Sequence, residues 1–184
     1  MLKAAEPILR KHIGENWLIL EEKSLLRRTW PLSKDESNAL GHNASNLTWH
    51  QDSNPKQQDR EMVVLMTILQ DGGGITRPGL SILNTPVEHF EGIYGYEGHR
   101  VDTFEQSILQ RYGKLQMTSP AINAGDLLIF NGLTFHRTYS NSAMKYHRDG
   151  LLVRIIKPED RGNFPDGNHL LAHPHNINMV QTTL

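Results

Sequence analysis

Apolar residues recur at helical spacing only at the start of this chain. Leu2, Ala5, Ile8, Leu9 and Ile13 fall on one face, with Lys3, Glu6, Arg10 and Lys11 between them. That pattern predicts a short amphipathic helix over 2–13. Beyond it the apolar residues come in short runs, broken by Gly, Pro, Asn, Asp and Ser. Runs at 17–20, 25–30, 47–52, 61–69, 79–83, 115–118, 127–130, 133–139 and 150–156 read as strands. The stretches 33–46 and 53–60 are polar and read as loops. A second helix is expected over 102–111, where Asp102 and Glu105 form a capping-box pattern. Asn131-Gly132 is a hairpin signal, and residues from Pro158 onward read as an extended tail. Many short strands at even spacing with little helix predict a mainly β fold. The expected architecture is a double-stranded β-helix (a cupin-like jelly roll) with a few flanking helices. The whole of 1–184 is expected to be one domain, with its core at about 47–156 and the tail at 157–184.

Composition narrows the function. The 184 residues carry a net charge of −1 and a pI near 6.8, so neither nucleic acid nor an anionic membrane is an expected partner. There is no cysteine, which excludes disulfides, thiolate metal sites and cysteine nucleophiles. The first residues are too charged for a signal peptide, and no apolar run approaches the ~18 residues of a membrane span. A cytoplasmic location is the expectation, and the two N-glycosylation sequons at Asn43 and Asn46 are read as chance matches. Oligomeric state is not legible.

The chemistry concentrates in Trp49-His50-Gln51-Asp52. On a strand, His50 and Asp52 point to the same face. With one further histidine they would form a facial triad of two imidazoles and one carboxylate, the ligand set of non-haem Fe(II). An HxD pair alone is common by chance. Here a turn at Gly125-Asp126, an apolar strand, a second turn and His136 follow, and a curled sheet would bring His136 to the same metal. Arg148 lies twelve residues further on, where a planar guanidinium could grip a carboxylate through paired hydrogen bonds. Thr138 shares a face with His136 and would add a hydroxyl.

Taken in order, Trp49-His50-Gln51-Asp52, Gly125-Asp126 through Phe130, His136-Arg137-Thr138 and Arg148 resemble the phytanoyl-CoA dioxygenase-like family of Fe(II)/2-oxoglutarate oxygenases, over about 48–156. The resemblance implies Fe(II) on His50, Asp52 and His136, with Arg148 and Thr138 holding the distal carboxylate of 2-oxoglutarate. It also implies dioxygen as oxidant and hydroxylation of a small-molecule substrate, with release of succinate and CO2. The spacing from His136 to the arginine is about one residue longer than the family pattern, so a strict count falls on His147. Only 49 residues precede His50, fewer than is usual in the family. Related halogenases replace the carboxylate ligand with a small residue, and Asp52 keeps it.

Arg77, Tyr94, Tyr96 and Arg100 fall in loops expected near the barrel mouth and are candidate substrate contacts. Arg154 shares strand parity with Arg148 and has no assigned role. Gly72-Gly73-Gly74 lacks the Lys-Ser/Thr of a phosphate loop and reads as a flexible turn. His169, His173 and His175 read as a solvated tail. Two other functions remain open: a cupin-like metal enzyme that does not use 2-oxoglutarate, and a non-catalytic barrel that only binds.

Overall fold

The computed structural model describes residues 1–20, 24–31, 49–53, 62–85, 101–163 and 169–171, with only the backbone described at 101–103, 161–163 and 169–171. The elements run α1 (Leu2–His12), β1 (Leu18–Leu20), β2 (Leu25–Thr29), β3 (Val63–Ile68), β4 (Gly79–Leu83), α2 (Val101–Tyr112), β5 (Met117–Thr118), β6 (Leu127–Asn131), β7 (His136–Tyr139), β8 (Arg148–Ile156), a 3-10 turn (Pro158–Asn163) and β9 (His169–Leu171). The large antiparallel sheet has the order β6-β3-β8-β1-β9, with β2 also pairing β8. The small sheet has the order β5-β4-β7, and His50 extends it through a bridge to His136. From β2 through the His50 bridge to β8 the chain crosses between the two sheets at every step except β4 to β5, which is the jelly-roll arrangement.

The register sorts the side chains. In β3 and β8 one parity faces outward: Val63, Leu65, Val153 and Ile155 pack with Ala5, Leu9, Ile13 and Trp17. This is why the first helix is amphipathic. It covers the outer face of the large sheet, and each fully buried Leu or Ile there contributes ~1.5–3 kcal/mol. The opposite parity faces inward. Met66 and Ile68 meet Leu80 and Ile122 between the sheets, with Ile82, Leu128, Phe130 and Leu152 around them. α2 covers the outside of the small sheet, where Phe104 and Ile108 pack with Trp49, Leu83 and Phe135.

Three expectations change. Asn131-Gly132 is not a hairpin: β6 pairs β3 in the large sheet, whereas β7 pairs β4 in the small one, so the turn carries the chain between sheets. Gly132 does not have a positive φ. Its value is close approach, since a Cβ there would lie 2.1 Å from Ser53 Oγ and 2.9 Å from Met62 Cβ. The tail does not simply trail away, because 169–171 pairs β1 as a further strand of the large sheet. The Gly72–Gly74 turn is well tied: Gly73 exchanges both main-chain hydrogen bonds with Ile122, and Gly72 O accepts from Ile75, Thr76 and Arg77. The loops expected at 33–46 and 54–60 lie outside the described residues.

Gly132→Ala is expected to destabilise the fold by about 1–3 kcal/mol, the cost of overpacking a filled site. Urea unfolding measures this, and an unchanged midpoint would contradict the close approach.

Candidate metal centre

The two histidines are a cross-strand pair. His50 N donates to His136 O and His136 N to His50 O, both at 3.0 Å. Residues that exchange both bonds sit directly opposite and project to the same face. Their rings lie 4.3 Å apart between centroids, and Phe130 packs 4.9 Å from the His136 ring. Two residues past His50, Asp52 returns to that face. Its backbone is fixed because Asp52 N and Ser53 N both donate to Gly132 O, at 2.9 Å. One ligand atom from each of His50, Asp52 and His136 lies within 4.8 Å of the others.

The orientation of these groups suits a cation. His136 Nδ1 lies 2.9 Å from Thr134 O. A carbonyl only accepts, so Nδ1 carries the hydrogen and Nε2 presents its lone pair. That Nε2 lies 3.8 Å from Asp52 Oδ2, an oxygen that is buried with no hydrogen-bond partner. Two acceptors therefore face each other at a spacing that metal–ligand bonds of ~2.0–2.2 Å would bridge. Asp52 Oδ1, by contrast, accepts from Arg154 Nη2 at 2.7 Å. Burial works against the Asp52 charge. The imidazoles of His136 and His50, when protonated, and the charge and hydrogen bond of Arg154 outweigh it, so the carboxyl titrates below its ordinary range.

Behind these three side chains, their sequence neighbours meet on the outer face. Trp49 Nε1 donates to Glu105 Oε1 at 3.0 Å, and Arg137 Nη2 lies 3.7 Å from the same oxygen. The Arg137 guanidinium also sits 5.3 Å from the Trp49 ring centre. One carboxylate on α2 thus ties together the residue before His50 and the residue after His136. Gln51, also outward, donates to Leu133 O at 2.6 Å.

Arg148 is inward, on the same face of β8 as Leu152 and Arg154. It is buried, and its Nη1 donates to Gly79 O at 2.7 Å, with Pro78 O at 3.4 Å and Thr29 Oγ1 3.3 Å from Nη2. Its Nε is buried without a partner, and among the described residues no carboxylate pairs with it. Burial, with repulsion from Arg27, pushes the guanidinium down to about 10. Gly79 pairs with Tyr139, and Leu80 with Thr138. The Arg148 head therefore reaches the small sheet one position from the buried Thr138, about 7 Å along β7 from His136. His147 is turned away: its ring packs at a tilt against Trp30, 4.8 Å between centroids, and lies 3.5 Å from Asp149. The longer spacing thus still delivers Arg148 inward.

Arg77 braces a turn, donating to Asp71 O and His147 O beneath the Tyr146 ring. Tyr94, Tyr96 and Arg100 lie outside the described residues, as do His173 and His175. Arg154 is the site residue whose role the sequence did not reveal. The available signal was its parity with Arg148, six residues back on one strand.

No family model and no curated protein matches this sequence. Solved structures are similar in fold. The apo form of the non-haem monooxygenase ThoJ matches with a TM-score of 0.53 at 15% identity, over 84% of this chain and 52% of that one. Its nickel complex gives 0.50 at 15% identity, over 84% and 50%. SnoK, a non-haem alpha-ketoglutarate-dependent carbocyclase from nogalamycin biosynthesis, gives 0.50 at 13% identity, over 82% and 54%. The chain spans about half the length of these neighbours, and the likeness at this identity is one of fold.

Glu105→Ala leaves the half-buried Arg137 without its carboxylate and should cost about 1–3 kcal/mol in denaturant unfolding. A loss below a few tenths would show that Glu105 is an ordinary surface residue.

Proposed function

We propose that this chain is a non-haem Fe(II)- and 2-oxoglutarate-dependent oxygenase of the phytanoyl-CoA dioxygenase-like kind, hydroxylating a small-molecule substrate. The observation that carries the reading is the orphaned Asp52 Oδ2 facing His136 Nε2 beside His50, with a buried Arg148 on the same interior that no carboxylate pairs among the described residues. A buried cation without a counter-ion is unfavourable by several kcal/mol, and a bound carboxylate relieves it. The fold shared with a non-haem monooxygenase and an alpha-ketoglutarate-dependent carbocyclase supports the same reading.

His50, Asp52 and His136 would hold the metal. Bound Fe(II) with 2-oxoglutarate and dioxygen supplies C–H oxidation coupled to decarboxylation of the keto acid to succinate. The chain's own work is placement. Arg148 binds the distal carboxylate of the co-substrate and Thr138 adds a hydroxyl to it. The Thr134 carbonyl holds the proton on His136 Nδ1, keeping Nε2 for the metal. Phe130 and the apolar residues between the sheets keep bulk water from the inner end. No side chain need act as nucleophile.

Anaerobic titration with Fe(II) and 2-oxoglutarate is expected to give the weak visible charge-transfer band of a chelated keto acid. Asp52→Ala should abolish metal binding. Arg148→Ala should keep the metal and weaken 2-oxoglutarate by roughly 100-fold, about 3 kcal/mol for a lost charged hydrogen-bond pair. Metal bound without a band would favour a cupin-like metal enzyme that does not use 2-oxoglutarate. Absence of metal would favour a barrel that only binds.

A further inference from the structure

We infer that Arg154 is a positioning residue that restricts Asp52 to ligation through one oxygen, keeping coordination positions open for the co-substrate. The inference rests on the metal assignment above and concerns a residue which that assignment does not use. A carboxylate can coordinate a metal through one oxygen or both. With three protein ligands, a chelating keto acid and dioxygen, an octahedral ion has no position left for a second carboxylate oxygen. The two Asp52 oxygens are already differentiated. Oδ1 takes a charge-assisted bond of 2.7 Å from Arg154 Nη2, whereas Oδ2 is buried, unpartnered and turned to His136 Nε2.

The clamp comes from the opposite sheet. Asp52 follows the bridge that joins His50 to the small sheet, whereas Arg154 lies near the C-terminal end of β8 in the large one, opposite Val64. Its backbone is anchored as well: Arg154 N donates to Ser24 Oγ at 3.1 Å, and that hydroxyl donates to Leu20 O at 2.7 Å. The side chain is only 13% exposed, so solvent competes little for the pair. There is a second effect of the same sign. Arg154 offsets the Asp52 charge, so a divalent ion held here keeps a stronger pull on a dianionic keto acid.

The test reads binding and spectra of the Co(II)-loaded protein, not turnover. Arg154→Met is expected to retain Co(II), to change its visible spectrum as Asp52 becomes bidentate, and to weaken 2-oxoglutarate by about 10- to 100-fold. Arg154→Lys keeps the charge and one donor and should fall between Met and wild type. Wild-type 2-oxoglutarate affinity in every variant that folds overturns the inference. So does a folded Arg154→Met that no longer binds Co(II), since Arg154 would then build the ligand set instead of limiting it. Wild-type protein that binds no metal overturns the metal assignment and this inference together. Wild type that binds Co(II) and 2-oxoglutarate, with unaltered variants, overturns this inference alone.

Discussion

The site depends on one backbone pairing. His50 and His136 exchange both main-chain hydrogen bonds at 3.0 Å, although 86 residues separate them in the chain. Closing so long a loop carries a large entropic cost, which must be offset elsewhere. The apolar faces offset it. The outer face of the small sheet is sealed by α2 through Phe104 and Ile108, and its inner face packs on the large sheet through Leu80 and Ile82. Once those layers are set, the pairing fixes two imidazoles on one face without help from either ring. The position of Asp52, the third candidate ligand, then follows from strand parity and from the two amides of Asp52 and Ser53 on the Gly132 carbonyl.

Much of this was legible because it depends on local pattern. β3 and β4 are apolar runs buried at nearly every position, β7 alternates as a half-buried strand should, and the first helix shows its face in Ala5 and Leu9. The HxD pair needed only a period of two. What was not legible depends on pairing over distance. Asn131-Gly132 has the composition of a hairpin turn, but the strands it joins have better partners in different sheets, so tertiary pairing overrides the local signal. The strand at 169–171 forms against β1, whose edge is created more than 140 residues earlier. Glu105 looked like a capping residue. In the folded chain its carboxylate holds Trp49 and lies beside Arg137, which no periodicity could have shown.

Arg148 and Arg154 show how one strand gives the same side chain two roles. Both face inward from β8, six residues apart, and roughly 20 Å of strand separates their backbones. At one end the guanidinium meets, among the described residues, carbonyls and a hydroxyl but no carboxylate, and burial lowers its proton affinity. At the other end it meets a carboxylate and is neutralised. The first environment suits the external anion proposed for it; the second uses up an anion the chain already owns. Exchanging the partners would reverse both effects, because a carboxylate beside Arg148 would fill the place of a diacid's far end. An unpaired Asp52 Oδ1 would compete for the proposed metal. The asymmetry of the two environments, more than the presence of either arginine, is what fits this interior to the metal and diacid proposed for it.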